Sequence, residues 1–559
     1  MADFTFVPAF ILIIGALLVA LVRPGARPAV VLGAPLLTLY AIWQIGDGVL
    51  LTVPFLGFEL ELIEGSKVRR LFATVFAIMA FTGGLFAYKQ AKWNELAAAH
   101  AYAAGAIGVC FAGDLITFFV FWELMALFST VVVWCGGSET ARAAGIRYAI
   151  MHLLGGILLK IGIVGLVIQT GSIDVRLISI DGILGWLILI GVLINTAAPP
   201  LSAWLPDAYP EASPSGAVFL SAFTTKTAVL ALILLFPGTQ VLIWVGLYMI
   251  FYGIIYALLE NDMRRILAYS IVNQVGFMVT GVGIGTEMAI NGTAAHAFAH
   301  IIYKALLLMS AGAVLYMTGR RKCSELGGLF QSMPLTTICG TIGALAISSF
   351  PFTSGFISKS MVNQGAANEH MMLVWFLLTA ASAGVHAGIK FPWFVFFQKD
   401  SGLRPPDPPW NMRLAMILFA VACIWLGVFP GPLYEMLPYP VDYVPYTADH
   451  VVSQFQLLLF AGLAFFVMLP LMRRTETISL DIDWLYRHLG KRALVFLVEA
   501  IRKGGTGAEA AARRHIQKLI DGLFRTHGPH GVLARTWPTD SMALWMAILL
   551  GAYLFFYYL

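Results

Sequence analysis

The sequence predicts an all-α polytopic membrane protein with about 14–16 transmembrane helices, and three observations carry that prediction. First, the 559 residues are 59% hydrophobic and only 12% charged, a balance foreign to soluble enzymes. Second, apolar runs of roughly 17–25 residues recur from Phe6 almost to the last residue, and a soluble core does not repeat that length. Third, ionisable residues stand inside those runs. Phe-Phe-Val-Phe-Trp-Glu-Leu-Met (Phe118 to Met125) places Glu123 near the middle of one helix, Lys226 is central in another, and His296, His300 and Lys304 form a His-x3-His-x3-Lys ladder in a third. Such groups cost several kcal/mol each in hydrocarbon, are rare there, and usually line a proton or ion path.

Apolar length and breaker residues place the spans at about 6–22, 28–45, 70–88, 97–112, 114–135, 146–169, 182–200, 215–236, 240–259, 265–284, 294–317, 335–360, 371–397, 411–430, 453–472 and 541–558. The first run lacks a basic n-region and an A-x-A site, so it reads as a retained helix rather than a signal peptide. Lys and Arg gather in the loops after odd-numbered spans: Arg23 and Arg27, Lys89 and Lys92, Arg142 and Arg147, Arg264 and Arg265, Arg320 to Lys322, Lys399 and Arg404, Arg473 and Arg474. The positive-inside rule puts these loops in the cytoplasm and the amino terminus outside, with Lys67, Arg69, Arg70 and Arg176 against the trend.

Two spans read as broken, one at Pro199, Pro200, Pro206 and Pro210, the other at Pro351 and Gly355. Proline removes an intrahelical hydrogen bond, and the freed carbonyls have to face protein or water. Two broken helices about five spans apart predict two inverted five-helix repeats around a midplane path; the competing reading is two kinks with a packing role only. The segments are then 1–96, N-terminal helices; 97–236, first repeat; 237–397, second repeat; 398–472, C-terminal helices; 473–540, a polar segment; and 541–559, the last helix. Within the polar segment, Trp484, Leu485, Leu489, Leu497, Val498 and Ile501 alternate with Arg487, Lys491, Arg492, Glu499, Arg502 and Lys503. A second helix is expected after Gly504-Gly505, and both read as amphipathic helices along the cytoplasmic interface, a solvated linker being the alternative.

Several chemistries find no support. The five cysteines are isolated, without metal-ligand spacing, so no zinc or iron–sulfur site is expected and no cofactor is implied. No phosphate-cradling loop, nucleophile triad or nucleic-acid patch is visible, so the chain has no expected catalytic site of its own.

Ala112-Gly-Asp-Leu, Phe121-Trp-Glu-Leu-Met, Pro200-Leu-Ser-Ala-Trp-Leu-Pro-Asp-Ala-Tyr-Pro-Glu-Ala, Thr225-Lys-Thr, Asp262-Met-Arg-Arg-Ile-Leu-Ala-Tyr-Ser, His296 and His300 with Lys304-Ala-Leu-Leu, and Ser354-Gly-Phe-Ile-Ser-Lys follow one another between about Leu51 and Phe429. In this order and spacing they resemble the antiporter-like membrane subunits shared by respiratory complex I, Mrp-type cation/proton antiporters and membrane-bound hydrogenases, the Mrp D-type subunit most of all. The resemblance implies a proton channel of two half-channels joined by charged residues at the membrane midplane. Glu123 would pair with a lysine, Lys226 would pass charge toward His300 and Lys304, and Lys359 would open the exit side; a helix-capping role for Lys359 competes with the last.

Two departures matter. Asn195 stands where the family usually has the glutamate's lysine partner, and Ser202 stands where it has a histidine. Lys160, in the sixth span, is the expected replacement partner of Glu123, provided the two face each other across the interior. His386 and Lys390 share a helical face (i, i+4), with snorkelling the rival to transport for Lys390. His152 reads as a satisfied interfacial histidine and Asp114 as a helix cap.

The leading function is proton translocation in a multisubunit sodium/proton antiporter of a bacterial-type plasma membrane, with other membrane subunits, lipid, protons and Na+ as partners. Three alternatives stand beside it: a redox-driven complex (complex I-like or hydrogenase), an inorganic-carbon uptake system with a large zinc-bearing partner, and a proton-inert structural subunit.

Overall fold

In hydrocarbon every backbone N–H and C=O has to be satisfied within its own segment, and the apolar runs accordingly fold as helices. The computed structural model describes residues 6–471, 481, 482, 484, 489–527 and 539–558; Arg473, Arg474, Leu485 and Arg487 lie outside them. Among the described residues, twelve helices are long and apolar enough to cross a membrane, and three shorter apolar helices accompany them. The protein is a multi-pass membrane protein.

The chain opens with α1 (Pro8–Leu21) and α2 (Arg27–Ile42), then departs from an all-helical reading in a hairpin, β1 (Gly48–Phe55) and β2 (Phe58–Gly65), paired antiparallel with Phe55 opposite Phe58. Its turn residues Leu56 and Gly57 both take positive φ, as a two-residue hairpin turn requires. The signal was present in the alternation Phe58-Glu-Leu-Glu-Leu. There follow α3 (Lys67–Ala87), α4 (Trp93–Phe111), α5 (Leu115–Trp134), α6 (Glu139–Thr170) and α7 (Ile183–Asn195). Among these helices, α5 and α6 are capped by the side chains of Asp114 and Ser138. Asp114 accepts from the N–H groups of Ile116 and Thr117 at 2.8 and 2.7 Å to start α5, and its other oxygen ties in the hairpin through Glu61 N–H at 2.9 Å.

Both anticipated breaks are present. Between α7 and α8 (Trp204–Ala208) the chain is irregular through Pro199 and Pro200, and between α14 (Pro334–Ile347) and α15 (Ser354–Asn368) it is irregular at 348–353. Two further breaks appear. The eighth span is split into α9 (Gly216–Leu220) and α10 (Thr224–Leu235). The thirteenth is split into α16 (Met372–Ser382), α17 (Val385–Gly388) and α18 (Lys390–Pro392), followed by a π-helical turn at Trp393–Phe397. Gly384 at φ 58° supplies the left-handed residue for that second break.

At the centre are α12 (Met263–Ile284) and α13 (Glu287–Thr318), following α11 (Val241–Leu259). Every residue of α12 but Arg265 is buried, as is α13 from Ala289 to Val314. α13 has 32 residues and is about 48 Å long, well beyond the ~30 Å of a hydrocarbon core. α6 has the same length but exposes Ile150, Leu153, Ile157, Ile161 and Val164, the apolar surface a lipid-facing helix presents. Helices α19 (Trp410–Val428), α20 (Gly431–Glu435) and α21 (Ala448–Val467) complete a compact unit that ends at Asp481.

The second unit, from Ile482, contains α22 (Lys491–His527) and α23 (Thr539–Tyr558). Contrary to the two helices read around Gly504-Gly505, α22 is continuous for 37 residues. Glycine costs ~1 kcal/mol in a helix interior relative to alanine; the alanine-rich run Ala508 to Ala512 and the Glu509–Arg513 pair one turn apart favour continuity. Leu497, Val498, Ile501, Ile516, Leu519, Ile520 and Leu523 expose an apolar stripe along it.

Candidate functional site: a buried row of lysines and histidines

The ladder on α13 faces the interior completely: His296, His300 and Lys304 have no exposed surface. Four-residue steps raise each group about 6 Å along the helix, so the three cover about 12 Å around its midpoint. His296 Nδ1 meets Ser358 Oγ at 3.1 Å and its Nε2 meets the Tyr303 hydroxyl at 3.4 Å, while the His296 and His300 rings lie 6.1 Å apart. Both ring nitrogens of His300 lack a partner among the described residues, and the ring lies within electrostatic reach of Lys226, Lys304 and Lys359. Lys304 bonds Ser270 Oγ on α12.

The breaks explain how lysines are tolerated here. A helix end leaves carbonyls unpaired and carries partial negative charge, so a cation is favoured there. Lys226 Nζ donates to Ser221 O at 2.7 Å, a carbonyl freed between α9 and α10, and to Thr225 Oγ1 at 3.1 Å. Lys359 Nζ donates to Ile347 O at the end of α14 and to Ser382 O at the end of α16, at 2.5 and 3.2 Å, and sits 5.2 Å from the Phe277 ring centre. The capping and relay readings of Lys359 are therefore compatible. Lys390 is not a snorkelling residue: it is buried and donates to Ala257 O, Leu258 O and Glu260 O where α11 ends. Buried His386, with both ring nitrogens unpartnered among the described residues, lies within electrostatic reach of Lys304, Lys359 and Lys390.

The first half is arranged differently from the expectation. Glu123 is half-buried and lies against Gly156 of α6: a Cβ at that glycine would fall 2.1 Å from Glu123 Oε1, so only the absent side chain makes room. Lys160, one turn on, is exposed among the outward apolar residues of α6 and makes no ion pair with Glu123 within 4.0 Å, although its charge reaches the carboxylate. The two do not face each other across the interior. Position 160 is 10 residues, about 15 Å, from the end of a helix that outruns the hydrocarbon, and a lysine stem can reach the interface from there.

His152, one turn on the other side of Gly156, is not interfacial. It is 2% exposed, and its Nδ1 meets Asn195 Oδ1 at 2.8 Å. The ring packs against Tyr148 and Trp204 with centroids 4.1 and 4.6 Å apart. Its Nε2, Asn195 Nδ2 and Glu123 Oε1 are buried without a partner among the described residues. Hydroxyls continue inward. Tyr148 donates to Ser129 Oγ at 2.9 Å, and Tyr102 and Thr224, two residues before Lys226, share a hydrogen bond of 2.6 Å. Ser202 is buried, and its hydroxyl lies beside that of Tyr252. Tyr252 and Tyr269 in turn donate to the two oxygens of buried Asp481, at 2.5 and 2.7 Å.

Comparison with known proteins fits this arrangement. A family model described as "NADH:quinone oxidoreductase/Mrp antiporter, TM" matches residues 112–383, the stretch holding Glu123, His152, Lys226, the α13 ladder and Lys359. Residues 112–383, just under half of the chain, thus carry the membrane domain that this family model describes. The D-type subunit of the Na(+)/H(+) antiporter of Alkalihalophilus pseudofirmus is 28% identical over 66% of this chain and 81% of its own length. The M-type subunit of the NADH-quinone oxidoreductase of Pseudomonas aeruginosa is 27% identical over 71% and 87%. A probable K(+)/H(+) antiporter protein of Rhizobium meliloti, of the A/B type, is 29% identical over 59% of this chain, which spans only 36% of that protein. Among solved structures, the Mrp complex from Dietzia sp. aligns with TM-score 0.69 at 21% identity, covering 82% of this chain and 97% of the other. The membrane-bound sulfane sulfur reductase, an archaeal respiratory membrane complex, aligns with TM-score 0.72 at 22% identity, covering 98% and 99%. These two likenesses establish the fold. They extend, in the second case, to nearly the whole chain.

Proposed function

We propose that this protein translocates protons within a multisubunit Mrp-type monovalent cation/proton antiporter of a bacterial plasma membrane. The observation that carries the reading is the buried row Lys226, His300, His296, Lys304 and Lys359. These cationic or titratable groups gather with no carboxylate paired to them among the described residues, and the lysines at the breaks are held on carbonyls set free there. Such groups exchange protons when a neighbouring charge moves, because each disfavours the charged form of the next. One elementary charge crossing the membrane is worth about 2.3 kcal/mol per 100 mV. The two expected breaks, five spans apart, support an inverted-repeat design around this row, with Glu123 at one side of the first half and Lys359 toward the exit of the second. The basic loops support an amino terminus outside the cytoplasm.

Likeness of nearly the whole chain to part of a respiratory membrane complex favours a second reading, a redox-driven complex, in which α22 covers neighbouring subunits. Purification from the native host in mild detergent separates the two. Small membrane subunits alone, with Na+- or K+-driven proton movement after reconstitution, support the antiporter; co-purifying flavin or iron–sulfur proteins, without cation-driven movement, overturn it. A large zinc protein would indicate the carbon-uptake system.

A further inference from the structure

α6 carries a stripe at four-residue steps: Tyr148, His152, Gly156 and Lys160. The structure gives each step a different surrounding. Lys160 is outward and exposed, Gly156 is the notch that receives the Glu123 carboxylate, and His152 lies one turn, about 6 Å, deeper, fully enclosed. Asn195, at the end of α7 just before the first break, holds His152 through Nδ1 and leaves Nε2 unpaired among the described residues. An enclosed imidazole with one nitrogen fixed and the other unpartnered is oriented for proton exchange at that second nitrogen. The neutral amide that fixes it cannot itself carry the proton.

We infer that His152, oriented by Asn195, is the proton carrier between Glu123 and Lys226 in the first half-channel, in place of the lysine the motif resemblance expects at position 195. This rests on the proton-relay reading above. Protonated Glu123 gives its proton, directly or through water, to His152 Nε2, leaving carboxylate and imidazolium. The imidazolium then loses one proton toward the hydroxyls of Tyr148, Ser129 and Thr224, and the neutral amine of Lys226 takes one up to become ammonium. Other titratable or charged groups near His152 are Tyr148 on its own helix, Tyr209 beyond the Trp204 ring that packs on it, Glu123 against Gly156 one turn on, and the Arg147–Asp207 ion pair, 2.6 Å, one turn and a half before it.

The test uses the intact complex reconstituted in proteoliposomes, with His152→Gln and His152→Lys. Glutamine can still bond Asn195 but carries no proton, whereas lysine restores a titratable group. H152Q is expected to lower cation-driven proton movement at least tenfold in assembled complex. H152K is expected to recover a substantial part of it with an optimum moved to higher pH, since an ammonium ordinarily titrates about four units above an imidazole. Wild-type rates in H152Q, or an unmoved pH profile in an active H152K, overturn the assignment. If the wild-type complex moves no protons, the relay reading itself fails. If only the H152Q comparison comes out unchanged, the relay stands and His152 is a packing residue.

Discussion

Lys226 Nζ lies 2.7 Å from the carbonyl oxygen of Ser221, a group that exists as a free acceptor only because the chain breaks between α9 and α10. The same pattern recurs at Lys359 with Ile347 O and at Lys390 with Glu260 O, each where a helix ends. Broken helices and buried lysines are therefore one device. The break provides negative dipole ends, and the ammonium satisfies carbonyls that would otherwise be buried unpaired.

Lys226→Met removes both the charge and the partner of Ser221 O. It is expected to abolish proton movement and to destabilise the protein by about 1–3 kcal/mol, the cost of a buried acceptor left unsatisfied. Transport assays on assembled complex, together with thermal unfolding in detergent, check both. Normal transport in K226M would remove Lys226 from the path.

Lys390 makes three carbonyl contacts and lies at the edge of the row, so its role is chiefly structural. Lys390→Gln is expected to lower the unfolding temperature by several degrees while transport per assembled complex stays within twofold. A selective transport loss with unchanged stability would instead place Lys390 in the path.

Lys160 faces outward, so Lys160→Leu is expected to leave transport within about twofold of wild type. Glu123→Gln, at a carboxylate seated against Gly156, is expected to lower it at least tenfold. Equal damage from both variants would restore Lys160 as the working partner of Glu123.

Outside the membrane helices, burial pushes the Glu61 carboxyl on β2 above its ordinary value, assisted by Glu64, Asp174 and Asp114. The folded hairpin therefore holds that proton more tightly than the unfolded chain does. Its stabilising effect is complete below the ordinary value of 4.5 and is lost as pH rises through the raised one. Amide protection across residues 48–65, corrected for the intrinsic exchange rate at each pH, should fall as pH rises above 4.5, and Glu61→Gln should flatten the change. An unaltered pH response in E61Q would assign it to another group.

Much of the fold was legible because membrane-length apolar runs, prolines and caps act locally. Asp114 could be read as a cap from its place before an apolar run, and the breaks at Pro199–Pro200 and Pro351 from proline alone. The breaks at Ser221–Phe223 and Gly384 were not, because no proline marks the first and a lone glycine in an apolar helix is ordinary. The ladder of His296, His300 and Lys304 was legible from its four-residue spacing on one helix. Whether a side chain on a span's edge points inward was not: Lys160 and His152 share a stripe of α6, yet one is exposed and the other enclosed, and only the packing of α5, α7 and α8 separates them. Asp481 escaped notice because its partners, Tyr252 and Tyr269, are more than 200 residues away.

The most direct test of the central claim is cation-driven proton movement by the intact complex in proteoliposomes, comparing wild type with Lys304→Met. Lys304 has no exposed surface, and Ser270 and a carbonyl on α12 are its hydrogen-bond partners, so the change removes one titratable group from the middle of the row. A loss of at least tenfold with subunit composition intact is the expected result. Wild-type proton movement in assembled K304M would contradict the claim that protons pass along this row.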